Sequence, residues 1–172
     1  NTVVGKSAAL NAVGMSYSTF IGYNAGGSGV VAGASNTCIG SAAGYVLTSG
    51  NSNVLIGRDA GANLTSGIRN IAIGHGALDA ADTASGRHFN IAIGHAALGG
   101  NTSAVEYCVA IGHAALTLQN ADVKNTAIGG LAGDAIVGGT ENTLVGYMAG
   151  SGIVSGAGNT AVGHAAFDTG TG

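Results

Sequence analysis

One short unit recurs along the whole chain, and no other feature restricts the possible folds as strongly. Its glycine falls at Gly5, Gly22, Gly40, Gly57, Gly74, Gly94, Gly112, Gly129, Gly146 and Gly163, at spacings of 17, 18, 17, 17, 20, 18, 17, 17 and 17 residues. The residue before the glycine is Ile or Val in all ten copies, and the residue three after it is Ala in all ten. The residue four before it is Asn in eight, with Ser18 and Cys108 as the exceptions. A fixed period of this length marks stacked supersecondary units, each of which needs its neighbours to bury its apolar face.

Composition removes the competing classes. The chain has 33 Gly, no Pro, no Trp and 8% charged residues, yet 46% are apolar and the net charge is only −3. That is too apolar for a disordered chain, and the glycines lack the every-third-residue period of collagen. No apolar run approaches a membrane span, so no membrane insertion by this segment is expected. The mild acidity gives no support for nucleic acid as a partner. The chain opens at Asn without Met and shows no signal peptide, and we read residues 1–172 as a single repeat domain cut from a longer protein.

The best-defined part of each unit predicts a strand. A β-branched residue stands three before every glycine and Ile or Val one before it, and in a strand these two side chains share a face. The position between them faces the other way and is also apolar: Val3, Phe20, Cys38, Leu55, Ala72, Ala92, Ala110, Ala127, Leu144 and Ala161. A strand apolar on both faces is expected to be buried on both. The glycine predicts positive φ or close backbone approach at a bend. The invariant Ala fits a place where a larger side chain would collide with the next coil. Segments such as Val46-Leu47-Thr48-Ser49-Gly50 suit a second, shorter strand and a turn. Helix is disfavoured, because each Gly costs about 1 kcal/mol relative to Ala there.

The expected fold is therefore all-β, a parallel β-roll or β-solenoid of about ten coils of 17–20 residues. At roughly 4.8 Å per coil it spans on the order of 45–50 Å. A narrow roll has one interior, so the second apolar face needs a partner, most simply another copy of the chain in a closed oligomer. Three rolls around one axis fit a stripe of small residues, with two-fold packing still open on spacing alone. On this reading the position two before each glycine lies at the subunit interface.

The strings Asn-Thr-Ala-Ile-Gly, Asn-Ile-Ala-Ile-Gly-His-Ala-Ala-Leu and Asn-Thr-Ala-Val-Gly-His-Ala-Ala resemble the head repeats of trimeric autotransporter adhesins. They are closer still to the related repeats of phage tail fibres and bacterial fibre proteins. The resemblance covers the whole chain and implies a left-handed parallel β-roll, assembled as an intertwined or side-by-side homotrimer, in an extracellular, cell-surface or virion fibre. The coil here is longer than in the adhesin heads, which favours the fibre branch. No binding residue is carried across from the family.

Chemistry-bearing candidates are few. His75, His95, His113 and His164 follow the repeat glycine, and the first three stand in consecutive coils. A ladder of imidazoles could hold a metal or an anion, but the same slot also takes Lys6, Tyr23, Ser41, Arg58, Gly130 and Tyr147, which fits an outward polar position better. No metal site is assigned, since close-spaced His and Cys pairs are missing. The asparagines suit a coil-to-coil amide ladder or a turn. Gly27-Ser28-Gly29-Val30-Val31-Ala32 matches a dinucleotide fingerprint only by chance, because no βαβ unit surrounds it. No nucleophile–base or carboxylate pair stands out, so the chain is expected to be no enzyme, with no catalytic residue and no cofactor.

Recognition is sought where the coils are irregular, since insertions in a solenoid map to surface loops. The longest coil carries Asp79, Asp82, Arg87 and His88, and the next two carry Glu106, Tyr107, Asp122 and Lys124. Six of the chain's thirteen charged residues fall between Asp79 and Lys124. These eight residues are the candidate contacts to a cell-surface glycan or protein receptor. Two functional classes follow: a receptor-binding head, or a purely structural shaft with binding elsewhere in the parent fibre. Cys38 and Cys108 lie four coils apart, roughly 19 Å, too far for an intrachain disulfide.

Overall fold

The computed structural model of the chain describes residues 1–80, 87–100, 105–120 and 124–168. Ten strands of three residues form one parallel sheet in chain order: β1 (Thr2–Val4), β2 (Thr19–Ile21), β3 (Thr37–Ile39), β4 (Val54–Ile56), β5 (Ile71–Ile73), β6 (Ile91–Ile93), β7 (Val109–Ile111), β8 (Thr126–Ile128), β9 (Thr143–Val145) and β10 (Thr160–Val162). Each strand pairs with the next in repeat register, for example Leu55 opposite Ala72 and Ile56 opposite Ile73. The chain is thus an all-β solenoid of about nine turns. Every coil contributes its three residues before the glycine as the strand, as the β-branched pattern predicts.

The rest of the coil departs from expectation. Among the described residues no second strand forms; only the isolated bridges Ile68–His88–Glu106 add pairing outside the sheet. Consecutive turns take its place, built on left-handed backbone at fixed positions. In the β4 coil Ser52, Asp59 and Gly61 have φ of 59°, 57° and 55°, and in the β6 coil Phe89, Ala96 and Leu98 have 59°, 54° and 50°. Hydrogen bonds from each coil to the next hold these turns, such as Asp59 N–H to Ser41 O (2.9 Å) and Gly61 N–H to Ala77 O (2.9 Å). Stacking offsets the left-handed cost of about 1–2 kcal/mol per non-glycine residue.

The repeat glycine meets both halves of its prediction. Gly94 has φ of 134°, and a Cβ placed there would lie 2.4 Å from Gly112 O of the next coil. No other residue fits so close a backbone approach.

The two strand faces are the reverse of what the sequence suggests. The position two before the glycine, expected at a subunit interface, points into the roll: Phe20, Cys38, Leu55, Ala72, Ala92, Ala110, Ala127 and Leu144 are fully buried within one chain. The flanking β-branched positions face outward and stay half-buried or exposed. Alternation alone cannot tell inside from outside when both faces are apolar.

The interior is filled by exchange of volume between two columns. Where the inward strand residue is Ala72, Ala92 or Ala110, the fourth residue after the glycine is a buried Leu78, Leu98 or Leu116. Where the strand residue is Phe20, Leu55 or Leu144, the fourth residue is Gly26, Gly61 or Gly150. A Cβ on those glycines would come within 2.6, 2.9 and 2.6 Å of the Phe20, Leu55 and Leu144 side chains. The invariant Ala three after the glycine packs beside them, wholly buried from Ala25 to Ala149. Interiors this close-packed leave no room for large side chains at both of these positions in one coil.

A buried amide ladder runs alongside. Asn53 donates from its backbone N–H and its Nδ2 to Asn36 Oδ1, both at 3.1 Å, while its Nδ2 also donates to Gly67 O at 2.8 Å. Asn70, Asn90, Asn142 and Asn159 repeat the pattern. Cys108 interrupts it: its N–H donates to Asn90 Oδ1 (3.0 Å), but it presents no amide oxygen to the following coil. Gln119, also fully buried, fills the gap, and its Oε1 accepts from Asn125 Nδ2 at 2.6 Å. The ladder satisfies amides that would be costly to bury alone. Cys38 and Cys108 are both buried and form no disulfide.

Candidate functional site

The structure separates the candidate contact residues into two groups. Asp82 and Asp122 lie outside the described residues. Asp79 belongs to a half-exposed patch on the outer face of the turns. Asn63 Nδ2 donates to its backbone oxygen (2.8 Å) and to its Oδ1 (3.3 Å). Partial burial, followed by the Asp59 carboxylate, raises the Asp79 carboxyl above its ordinary range.

Asp59 leads from this patch to the histidine column. Its Oδ2 lies 3.3 Å from Arg58 Nε and 3.6 Å from His75 Nε2, and Arg58 Nη2 also meets His75 Nε2. His75 and His95 pack edge to face with centroids 5.0 Å apart, and His95 stacks on His113 at 5.2 Å. Tyr147 and His164 continue the motif in the last two coils, with centroids 5.6 Å apart. The column is solvent-exposed, as expected for an outward polar slot. Among the described residues no group of three or more His, Cys, Asp or Glu is placed to hold a metal ion.

The second group lies just ahead of the amide ladder. His88 and Glu106 occupy successive isolated bridges, both half-buried, and His88 Nδ1 accepts from Ile68 N–H at 3.1 Å. Tyr107 is 51% exposed and stacks almost parallel on Phe89, with centroids 4.8 Å apart. Arg69 covers the other side of Phe89, its guanidinium carbon 5.5 Å from the ring centroid. Lys124 is the exposed residue at the same repeat position one coil beyond Tyr107. The outer surface of the central coils therefore carries a cation–aromatic–aromatic–cation column: Arg69, Phe89, Tyr107, Lys124. Sequence reasoning missed Arg69 and Phe89. The signal lay in the register, since all four stand five residues before a repeat glycine.

Arg87 is not a surface residue. It is fully buried, and its backbone oxygen accepts from Asn70 Nδ2 at 2.6 Å, the role that Gly67 plays for Asn53. Its Nη1 reaches Leu98 O at 3.4 Å. The guanidinium lies within the roll beside the long coil, so Arg87 serves the fold rather than contact with a receptor.

Among the described residues no pocket opens. No helix is long and apolar enough to cross a membrane. What the surface offers is long, shallow columns of like residues. Comparison with family models, with curated proteins and with solved structures finds no match.

Proposed function

We propose that this chain is a non-enzymatic segment of a homotrimeric extracellular fibre, of the adhesin-head and tail-fibre type that its repeats resemble. The observation that carries this reading is the outward face of the sheet. Ile21, Ile39, Ile56, Ile73, Ile93, Ile111, Ile128 and Val145 form one unbroken column over eight coils, flanked by Thr19, Thr37, Val54, Ile71, Ile91, Val109, Thr126 and Thr143. Ile73 is 36% exposed and Ile128 39% in a single chain. A flat, contiguous β-branched stripe of this length is the kind of surface that marks an interaction site. Three copies around one axis bury it symmetrically, with left-handed rolls side by side. The interface thus uses the positions one and three before the glycine.

The mechanism is mechanical and adhesive. Stacked coils hold the turn columns rigidly, at a fixed distance from an anchor elsewhere in the parent fibre. In the receptor-binding form of this reading, the Arg69–Phe89–Tyr107–Lys124 column and the neighbouring His88 and Glu106 meet a cell-surface glycan or protein. In the shaft form they only brace the coils. A glycan and cell-binding screen with wild type, Tyr107→Ala and Lys124→Ala separates the two. These point changes are preferable to deleting 79–88, since Arg87 lies inside the roll. Binding that both substitutions abolish supports the head; no binding by the wild type supports the shaft.

A further inference from the structure

Basic side chains are gathered into one column of the roll, at the position just after the repeat glycine. Lys6, Arg58, His75, His95, His113 and His164 stand there. They are six of the ten basic side chains in the sequence, five Lys or Arg and five His, and no copy of the repeat has an acidic residue in that slot. All six are exposed. The parallel register sets successive occupants in single file, one coil apart.

The middle of the column is continuous. His75 and His95 have centroids 5.0 Å apart, and His95 and His113 5.2 Å. Arg58, one coil earlier, donates from Nη2 to His75 Nε2. A guanidinium can only donate, so His75 Nε2 is the acceptor and that ring is neutral in this arrangement. Asp59 Oδ2 lies 3.3 Å from Arg58 Nε and 3.6 Å from His75 Nε2, and Asp79 interacts electrostatically with Asp59 and His75. Among the described residues no carboxylate is within ion-pair distance of His95 or His113.

The charge of this column depends on pH. Imidazoles gain charge as pH falls from about 8 to about 5. Lys6 and Arg58 are charged throughout; the four histidines join them in acid. Protonation of all five histidines takes the net charge of the chain from −3 to −3 + 5 = +2. A proton on His75 Nε2 also removes the acceptor from Arg58 Nη2 and makes His75 a donor towards Asp59. Like charges this close repel, and an anion laid along them relieves the repulsion. A single file of charges fits one extended polyanionic strand. Single-stranded nucleic acid is held largely by bases stacking on free aromatic faces, whereas His95 and His113 turn their faces to each other. An acidic polysaccharide needs only the charges and the N–H donors.

We propose that this column is an acid-switched binding surface for an acidic polysaccharide, which lies along the roll and is held by Arg58, His75, His95 and His113. It is separate from the Arg69–Phe89–Tyr107–Lys124 column and does not depend on the role of that column.

Fluorescence anisotropy with labelled heparin as the probe, at low salt and with a chelator present, tests this. Wild type is expected to bind at least about tenfold more tightly at pH 5.5 than at pH 7.5, and added salt should weaken binding. His95→Gln/His113→Gln should lose most of the gain in acid. His95→Arg/His113→Arg, which is charged at both values, should bind at pH 7.5 as wild type does at pH 5.5. Ser28→Asp/Ser155→Asp changes two exposed residues outside the column and lowers the net charge equally; it should keep most of the gain. Pooled loss in this last variant, equal to that of the Gln variant, would show that net charge alone governs binding and would overturn the proposal. So would equal wild-type binding at the two pH values, no binding at either, or an Arg variant that stays weak at pH 7.5. Equally tight binding of single-stranded oligo(dT) would overturn the assignment to polysaccharide. None of these results bears on the fibre reading above, which is judged by assembly mass and by the Tyr107 and Lys124 substitutions.

Discussion

Replacing Leu55 by Ala and Gly61 by Leu, singly and together, tests how the interior is filled. Leu55 is fully buried, and a Cβ on Gly61 would lie 2.9 Å from its Cδ2 and 3.1 Å from its Cδ1. Leu55→Ala opens a cavity worth about 3 kcal/mol. Gly61→Leu overpacks the same space at about 2 kcal/mol and adds about 1 kcal/mol for a leucine at φ near 55°. Were the sites independent, the double variant would lose about 6 kcal/mol. Made together, the two substitutions would instead copy the native pair of Ala72 and Leu78 one coil on, where Leu78 is fully buried at φ 54°. The double variant is therefore expected to lose only about 2 kcal/mol, a coupling of about 4 kcal/mol. Urea titrations of the four proteins, followed by circular dichroism, supply the cycle. Additivity to within about 0.5 kcal/mol would refute the shared-volume account.

Three further outcomes follow from the same contacts. Gly94→Val forces a β-branched residue to φ 134° and against Gly112 O, and its melting temperature should fall well below that of the surface change His95→Ala. Gln119→Ala leaves Asn125 Nδ2 without the oxygen it donates to at 2.6 Å and should cost about 1–3 kcal/mol in chemical denaturation, whereas adding Cys108→Asn should recover part of the loss by restoring the ladder. Burial pushes the Cys38 thiol up to about 12. The unfolded thiol ionises near pH 8.5, so the contribution of Cys38 to stability is complete below that value and falls as pH rises toward the folded value. Stability measured from pH 8 to pH 11 should decline less in Cys38→Ala than in wild type, and Cys38 should resist alkylation until the chain unfolds.

The strands and their register were legible because both are written as strict periodicity: a β-branched pair before a glycine, ten times. The inward face was legible too, but only by reading two columns together. Phe20 with Gly26, Leu55 with Gly61 and Ala72 with Leu78 exchange volume, and residues that do so share one interior. Read singly, the column two before the glycine looked like an interface because it is apolar throughout. The left-handed turn positions could not be read, since Ala42, Ala96 and Leu98 carry no local preference for that backbone; stacking imposes it. The Asn ladder showed its period plainly, while its repair by Gln119 depends on a contact six residues away within one coil. Arg87 was misplaced because the 20-residue spacing hides its register with Gly67, and a charge in an insertion reads as surface. The Arg69–Phe89–Tyr107 column went unseen because the three residues differ in type and share only their position.

Assembly through the outward Ile and Val column is the claim on which the functional account rests. Sedimentation equilibrium measures it most directly. With a chain mass of 16.3 kDa, three copies give 3 × 16.3 = 48.9 kDa. The account predicts that mass for the wild type. For Ile73→Asp/Ile93→Asp, whose charges would face an apolar interface, it predicts 16.3 kDa with the strand content intact. A wild-type mass of 16.3 kDa, or a double variant that stays assembled, would contradict it.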